Sequence, residues 1–234
     1  MKRIGLFSPN LVEDKLVDAR RILPPDVELI GYPFAVRRYV DAEFAKVADE
    51  FSSNLWRLAD QRLDFLMVTG ELFFAHLTAS RRKALLSEIA QAAGCPTSTV
   101  VRAVIEAFST LGVKRIVLAT PFVQHQTDHL NRFLTDQGLQ VMGQHCLGYE
   151  DSASVWDLAP ETAYRAAADL LAAHPEADGV YLPNNQWRVT SVIDRIEREF
   201  GKPVVANTPA WIRQALTAVG LSGPIAGYGK LLMS

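Results

Sequence analysis

Two short apolar runs, each stopped by a residue with unusual backbone or hydrogen-bonding properties, constrain this chain more than any other feature. Gly179-Val-Tyr-Leu-Pro-Asn184 reads as a buried strand that ends on the amides Asn184, Asn185 and Gln186, followed by a helix to about Phe200 and a second apolar strand, Pro203-Val-Val-Ala206. Asp64-Phe-Leu-Met-Val-Thr-Gly70 is its counterpart, a buried strand stopping at glycine, with Glu71 and a loop leading into the next helix. Gly70 and Asn184 lie 184 − 70 = 114 positions apart, close to half of 234, so the chain reads as two related halves that face each other. In an open parallel sheet, ligands sit beyond the carboxyl ends of the strands. That rule puts Asn184, Asn185 and Gln186 at a cleft.

Strand and helix alternate along the rest of the chain. Strands are expected at Arg3–Ser8, Val27–Tyr32, Arg115–Ala119 and Leu139–Cys146, with Thr120-Pro121-Phe122 ending the third of these. Helices are expected at about 12–22, from an Asp41 cap through Phe44, Val47, Ala48, Phe51, Leu55 and Leu58 at helical spacing, and at Ala79–Ala93 after Thr78. Further helices follow at Val100–Leu111, about 124–137, Pro160–Ala173 and about Pro209–Val219, with a polar loop before Trp156. Such alternation predicts an α/β fold, each lobe a parallel sheet with right-handed crossovers, flanked by helices. The change of rhythm at Gly94-Cys-Pro-Thr-Ser-Thr99 marks the crossing, and the last helix is expected to return to the first half. The lobes are then 1–94 plus 212–234, and 95–211.

With 49% hydrophobic residues the chain can bury a large core without metal or disulfide. A net charge of −2 with mixed signs gives no broad basic field, which argues against nucleic acid as a partner. There is no signal peptide and no apolar run long enough to span a bilayer, so the chain reads as cytoplasmic with no membrane partner and with Cys95 and Cys146 reduced. Whether identical chains assemble is left open.

Several segments together resemble the arylmalonate decarboxylase and maleate cis-trans isomerase branch of the aspartate/glutamate racemase superfamily. They are Ile4-Gly-Leu-Phe-Ser-Pro9, Leu111-Gly-Val-Lys-Arg-Ile-Val-Leu-Ala-Thr-Pro-Phe122, Ala177-Asp-Gly-Val-Tyr-Leu-Pro-Asn184 and Gly201-Lys-Pro-Val-Val205, in that order over nearly the whole chain. The resemblance implies a cofactor-independent enzyme with two pseudo-symmetric lobes and a substrate carboxylate held between them. It also implies one reactive cysteine per lobe, both acting in racemases and isomerases and only the second-lobe one in the decarboxylase, but those positions fall on Gly70 and Asn184, so both thiols are absent. The family's Thr-Pro-Tyr stands here as Thr120-Pro121-Phe122, and the Thr/Ser after the first site as Glu71-Leu72. By the same resemblance, Pro9, Asn10, Gly70, Thr120, Phe122, Asn185 and Gln186 are candidates for substrate contact.

The residues themselves suggest the following chemistry. A thiolate is both nucleophile and base near neutral pH; an amide is neither, but it donates hydrogen bonds to an oxyanion. Asn184 and Asn185 therefore stabilise a carboxylate or enediolate, or cap the helix that follows. Glu71 is the general acid/base candidate because Leu72, Phe73 and Phe74 limit its hydration, with a solvated loop carboxylate as the alternative. His76 is a second proton donor, or satisfies a local hydrogen bond. His125 and His129 share a helix face without a third zinc ligand, so no metal is expected. Cys95 and Cys146 read as structural. Arg188 clamps a carboxylate or forms a surface ion pair.

Losing CO2 from an apolar pocket needs mainly an oxyanion cradle. Without thiols, a decarboxylase-like lyase acting on a small mono- or dicarboxylic acid is the leading expectation, with Glu71, Asn184 and His76 as its catalytic residues. The alternatives are a cis-trans isomerase, racemase-like or hydrolytic enzyme using Glu71 as base, or a catalytically silent carboxylate-binding protein.

Overall fold

A computed structural model describes residues 1–9, 16–33 and 37–234, excepting the side chains of Ala45 and Ala48. It contains two four-stranded sheets, and every pairing within them is parallel. The first is built from β1 (Lys2–Ser8), β2 (Val27–Pro33), β3 (Phe65–Val68) and β4 (Thr97–Thr99) in the order β2-β1-β3-β4. The second comprises β5 (Arg115–Phe122), β6 (Gln140–Tyr149), β7 (Gly179–Leu182) and β8 (Val204–Ala206) in the order β6-β5-β7-β8. Each sheet starts its first strand in the middle, adds the second on one side and the next two on the other. β3 and β7 therefore hold equivalent places. All four residues of each are buried, as expected of strands covered on both faces.

Ten helices connect and cover the sheets among the described residues: α1 (Val17–Ile22), α2 (Asp41–Ser53), α3 (Glu71–His76), α4 (Ala79–Ala93), α5 (Val100–Thr110), α6 (Gln124–Asp136), α7 (Ser152–Asp157), α8 (Pro160–Ala173), α9 (Ile193–Phe200) and α10 (Asn207–Ala218). The caps follow their local chemistry. Thr78 Oγ1 accepts from the Arg81 N–H at 3.3 Å at the start of α4, and Pro160 occupies the first turn of α8, where its missing N–H costs nothing.

Several elements differ from their sequence reading. Thr97–Thr99 is a strand of the first sheet, paired with Leu66–Val68, so the sheet-to-sheet crossing is made by α5 and not by residues 94–99. Asp41 is the first residue of α2 and makes no cap; Val40 occupies that position, and the Asp41 carboxylate instead accepts from Gln126 Nε2 at 2.8 Å. That helix stops at Ser53, and Leu55–Leu58 form a separate 3-10 turn. Thr120-Pro121-Phe122 forms the last residues of β5 itself, since the strand continues past Ala119 through Phe122 and absorbs a register shift against β6. The expected loop before Trp156 includes α7. The first half of the helix expected near 12–22, and Asn10 with it, lie outside the described residues.

The cores of both halves are closely packed. β7 shows this most clearly, because a Cβ built on Gly179 would meet the Pro203 carbonyl oxygen at 2.8 Å and Val113 Cγ1 at 3.0 Å. Since the first of these is backbone, the neighbouring strand would have to shift. Gly179→Ala is predicted to lower unfolding free energy by about 1–3 kcal/mol, the usual cost of overpacking, as read from urea denaturation. An unchanged midpoint would mean that β7 and β8 separate freely.

Candidate functional site

The site forms where β3 and β7 end. Gly70, directly after β3, takes φ +112° and serves as the N-cap of α3. A Cβ there would lie 2.9 Å from Pro9 Cγ, so this turn requires glycine on both dihedral and steric grounds. The tight turn lets α3 begin at once, placing Glu71 in its first turn and not in a loop.

Glu71 is only 6% exposed. Its Oε2 accepts from Asn207 Nδ2 at 3.0 Å, and the carboxyl also receives the backbone N–H groups of Glu71 itself and of Asn184. Burial is the larger influence and disfavours the charge; the three donors only partly offset it. The result is a pKa pushed from 4.5 up to about 7. The solvated-carboxylate alternative does not describe this side chain.

Asn184, after β7, is 3% exposed and has φ +80°. Its Oδ1 accepts from the Gln186 N–H at 2.6 Å, closing an Asx turn, and its Nδ2 donates to the Tyr39 hydroxyl at 2.9 Å. It caps no helix, because the chain next forms a 3-10 turn at Thr190–Val192 and only then α9. Tyr39 reaches Asn184 because residues 37–39 pair with the loop after β6: Tyr39 N–H donates to Glu150 O at 2.7 Å and Ser152 N–H to Arg37 O at 2.9 Å. Phe122, at the end of β5, packs against the Tyr39 ring at 5.1 Å between centroids.

Asn207, the first residue of α10, is wholly buried and accepts from the Tyr181 hydroxyl at 2.8 Å through Oδ1. Tyr39, Tyr181 and Asn207 were missed from the sequence. Asn207 had a signal: it follows the apolar run Val204-Val205-Ala206, so the strand-end rule that selected Asn184 selects it as well. A cavity of about 20 Å³ lies among Pro9, Tyr39, Phe44 and the Gly70–Phe73 turn, room for about one water. Asn184 adjoins it through Glu71 and Tyr39. A larger, open cavity of about 490 Å³ beside Asp194, Glu197 and the C-terminal residues is remote from these groups.

Other candidates lie elsewhere. His76, at the far end of α3, places Nε2 2.9 Å from Gln126 Oε1 and stacks on His129 at 4.0 Å. Burial lowers its pKa. His129 is half-buried, not on an exposed face, and bonds to the Ala75 carbonyl at 3.0 Å. Among the described residues no group of three His, Cys, Asp or Glu is placed to hold a metal ion. Thr120 pairs with Thr127 at 2.6 Å. Asn185 keeps a buried Oδ1 without a hydrogen-bond partner, and Gln186 is buried with its N–H on Asn184. Arg188 stacks over Trp156 at 5.1 Å, with Nε buried and unbonded. Cys95 and Cys146 are unpaired and half-buried; Cys146 Sγ contacts Gln124 Oε1 at 3.0 Å. No described helix is long and apolar enough to cross a membrane.

Two four-stranded parallel sheets of matching strand order, flanked by helices, make this an α/β protein of the aspartate/glutamate racemase-like fold. Residues 4–232 match the family model for arylmalonate decarboxylase, and the chain belongs to that family. It is 25% identical over 229 residues to arylmalonate decarboxylase of Bordetella bronchiseptica, covering 97% of this chain and 95% of that one. It is 25% identical over 200 residues to maleate isomerase of Geobacillus stearothermophilus, covering 81% and 77%. Unliganded arylmalonate decarboxylase superposes with a TM-score of 0.83 at 25% identity, covering 99% of both chains. Maleate cis-trans isomerase of Nocardia farcinica shares the fold, with a TM-score of 0.90 at 19% identity over 99% of this chain and 98% of that one.

A carboxyl whose pKa is higher folded than unfolded contributes stability that is full below the unfolded value and lost as pH rises through the folded one. For Glu71 that window runs from about 4.5 to about 7. Glu71→Gln is predicted to remove up to about 3 kcal/mol of pH dependence across it, measured by urea unfolding of both chains at several pH values. Parallel stability profiles would show that Glu71 ionises in the folded chain as it does in water.

Proposed function

We propose that this chain is a decarboxylase-like lyase acting on a small carboxylic acid through an enediolate, with Glu71 as the proton donor and no cofactor. The observation that carries this reading is the Glu71 carboxyl itself: buried, poised near neutrality, and held by donors from both strand ends. The donors on Glu71 are also the ones a developing enediolate needs. A neutral acid accepts weaker hydrogen bonds than a carboxylate, so protonated Glu71 yields the Asn184 N–H and the Asn207 amide to the substrate. The cleft around Tyr39 widens to admit it.

In the reaction, on an acid that carries two carboxylates on its α-carbon, the bond from the α-carbon to the departing carboxylate breaks. Its electron pair passes into the retained carboxylate to give the enediolate, and CO2 leaves. Glu71 then transfers its proton to the α-carbon and is reprotonated from water. Leu72 and Phe73, both buried, favour loss of the substrate's charge by limiting its hydration. Full-length likeness to arylmalonate decarboxylase supports decarboxylation as the reaction. Likeness to maleate isomerases favours a second reading, in which the same cradle serves cis–trans isomerisation.

Incubation with substituted malonates, maleate and amino acids in deuterated water, followed by NMR, separates these outcomes. Decarboxylation with deuterium at the α-carbon is expected; fumarate from maleate would favour the second reading, and binding without turnover would sink both. On a consumed substrate, Glu71→Gln should lower turnover by roughly 100-fold while affinity stays within a few-fold. Wild-type turnover in that variant would remove Glu71 from the chemistry. Activity should also survive alkylation of Cys95 and Cys146, and its loss with the circular dichroism unchanged would point to a thiol.

A further inference from the structure

We propose that Tyr181 is a positioning residue for this site: by donating its hydroxyl hydrogen to Asn207 Oδ1, it fixes the Asn207 amide with its NH2 edge on Glu71. The inference deepens the reading of Glu71 as the acid–base group and rests on it for its functional meaning. Its physical content stands on three fully or nearly buried groups in series, Tyr181, Asn207 and Glu71, joined at 2.8 and 3.0 Å.

An amide presents an acceptor at one edge and donors at the other, and nothing in its shape prefers either orientation. The two ends of this series remove the ambiguity. Tyr181 lies on β7 with its ring set edge-on against Phe108 at 5.7 Å, and burial, then the Glu71 charge, push its phenol well above the ordinary range. It therefore stays protonated and always has a hydrogen to donate. Ionised Glu71 can only accept. The chain of bonds is consistent in one direction alone, from phenol to amide carbonyl and from amide N–H to carboxylate. Bonds aligned in this way also polarise one another, so the phenol strengthens a donor it never touches directly.

No charged side chain acts on Glu71 among the described residues. Its neighbours are its own N–H on α3, the Asn184 N–H after β7 and the Asn207 amide on α10, while Tyr181 is the titratable group that feels its charge. If the phenol is removed, the amide can turn and offer Oδ1 to protonated Glu71, which favours the neutral acid.

The test follows the Glu71 carboxyl by carbon-13 NMR through a pH titration, its signal assigned by Glu71→Gln, in the native chain, Tyr181→Phe, Asn207→Ala and the double variant. Tyr181→Phe should raise the titration midpoint by about one pH unit, the worth of a hydrogen bond to a charged group. Asn207→Ala should raise it at least as far, and Tyr181→Phe should add nothing in that background. An unmoved midpoint in either single variant, or an equal rise from Tyr181→Phe in both backgrounds, overturns the proposal. Since the titration needs no substrate, its outcome is separate from that of the functional reading. A moved midpoint without turnover of any tested acid leaves the relay and removes the lyase; turnover with an unmoved midpoint does the reverse. Where a substrate is consumed, the alkaline limb of kcat/KM should move upward with the midpoint in Tyr181→Phe, a change that mere loosening of the core would not produce.

Discussion

The structure depends on the burial of one carboxyl group at the meeting of two strand ends. Removing an ionisable group from water is expensive unless donors replace the lost hydration, and Glu71 receives them from three places: its own turn after β3, the backbone after β7, and the head of α10. None of the three alone would suffice. The matching strand orders of the sheets bring the ends of β3 and β7 together, and the abrupt turn at Gly70 aims the first side chain of α3 between them. Away from this junction a second buried carboxyl, Glu197, accepts the N–H groups of Val204 and Lys230 and pins the tail.

The parts of this arrangement that can be read from sequence are those with a periodic or punctuating signal. Apolar runs stopped at Gly70 and Asn184 located the facing strand ends, and Leu72, Phe73 and Phe74 suggested the burial of Glu71. β4 was invisible because Thr97–Thr99 is three polar residues long, with no alternation to register. Asn207 was hidden by Pro209, which looks like the first helical residue although α10 starts two positions earlier. Tyr39 could not be found at all: it is carried to Asn184 by pairing with a loop more than a hundred residues downstream. Proximity in sequence misled in the case of His76. Five residues along a helix put it at the opposite end of α3, where it joins α6 through Gln126 and His129.

Both strand-end residues, Gly70 and Asn184, have backbone roles. Gly70 has φ +112° against Pro9, and Asn184 has φ +80° with its side chain closing the turn onto Gln186. In each case the strand-end residue shapes the turn that delivers a donor or acceptor to the site, either the Glu71 side chain or the Asn184 N–H. Backbone geometry and the placement of the carboxyl cradle are thus coupled at both turns.

That coupling bears on any attempt to graft a sulfur chemistry onto this scaffold. An ordinary L-residue resists left-handed geometry by about 1–2 kcal/mol, and asparagine tolerates it at position 184 because its carbonyl satisfies the Gln186 amide while its NH2 reaches Tyr39. A cysteine there could replace these bonds only weakly. It would relax the peptide that now points at Glu71, so a thiol introduced at position 184 would disturb the turn that holds the carboxyl.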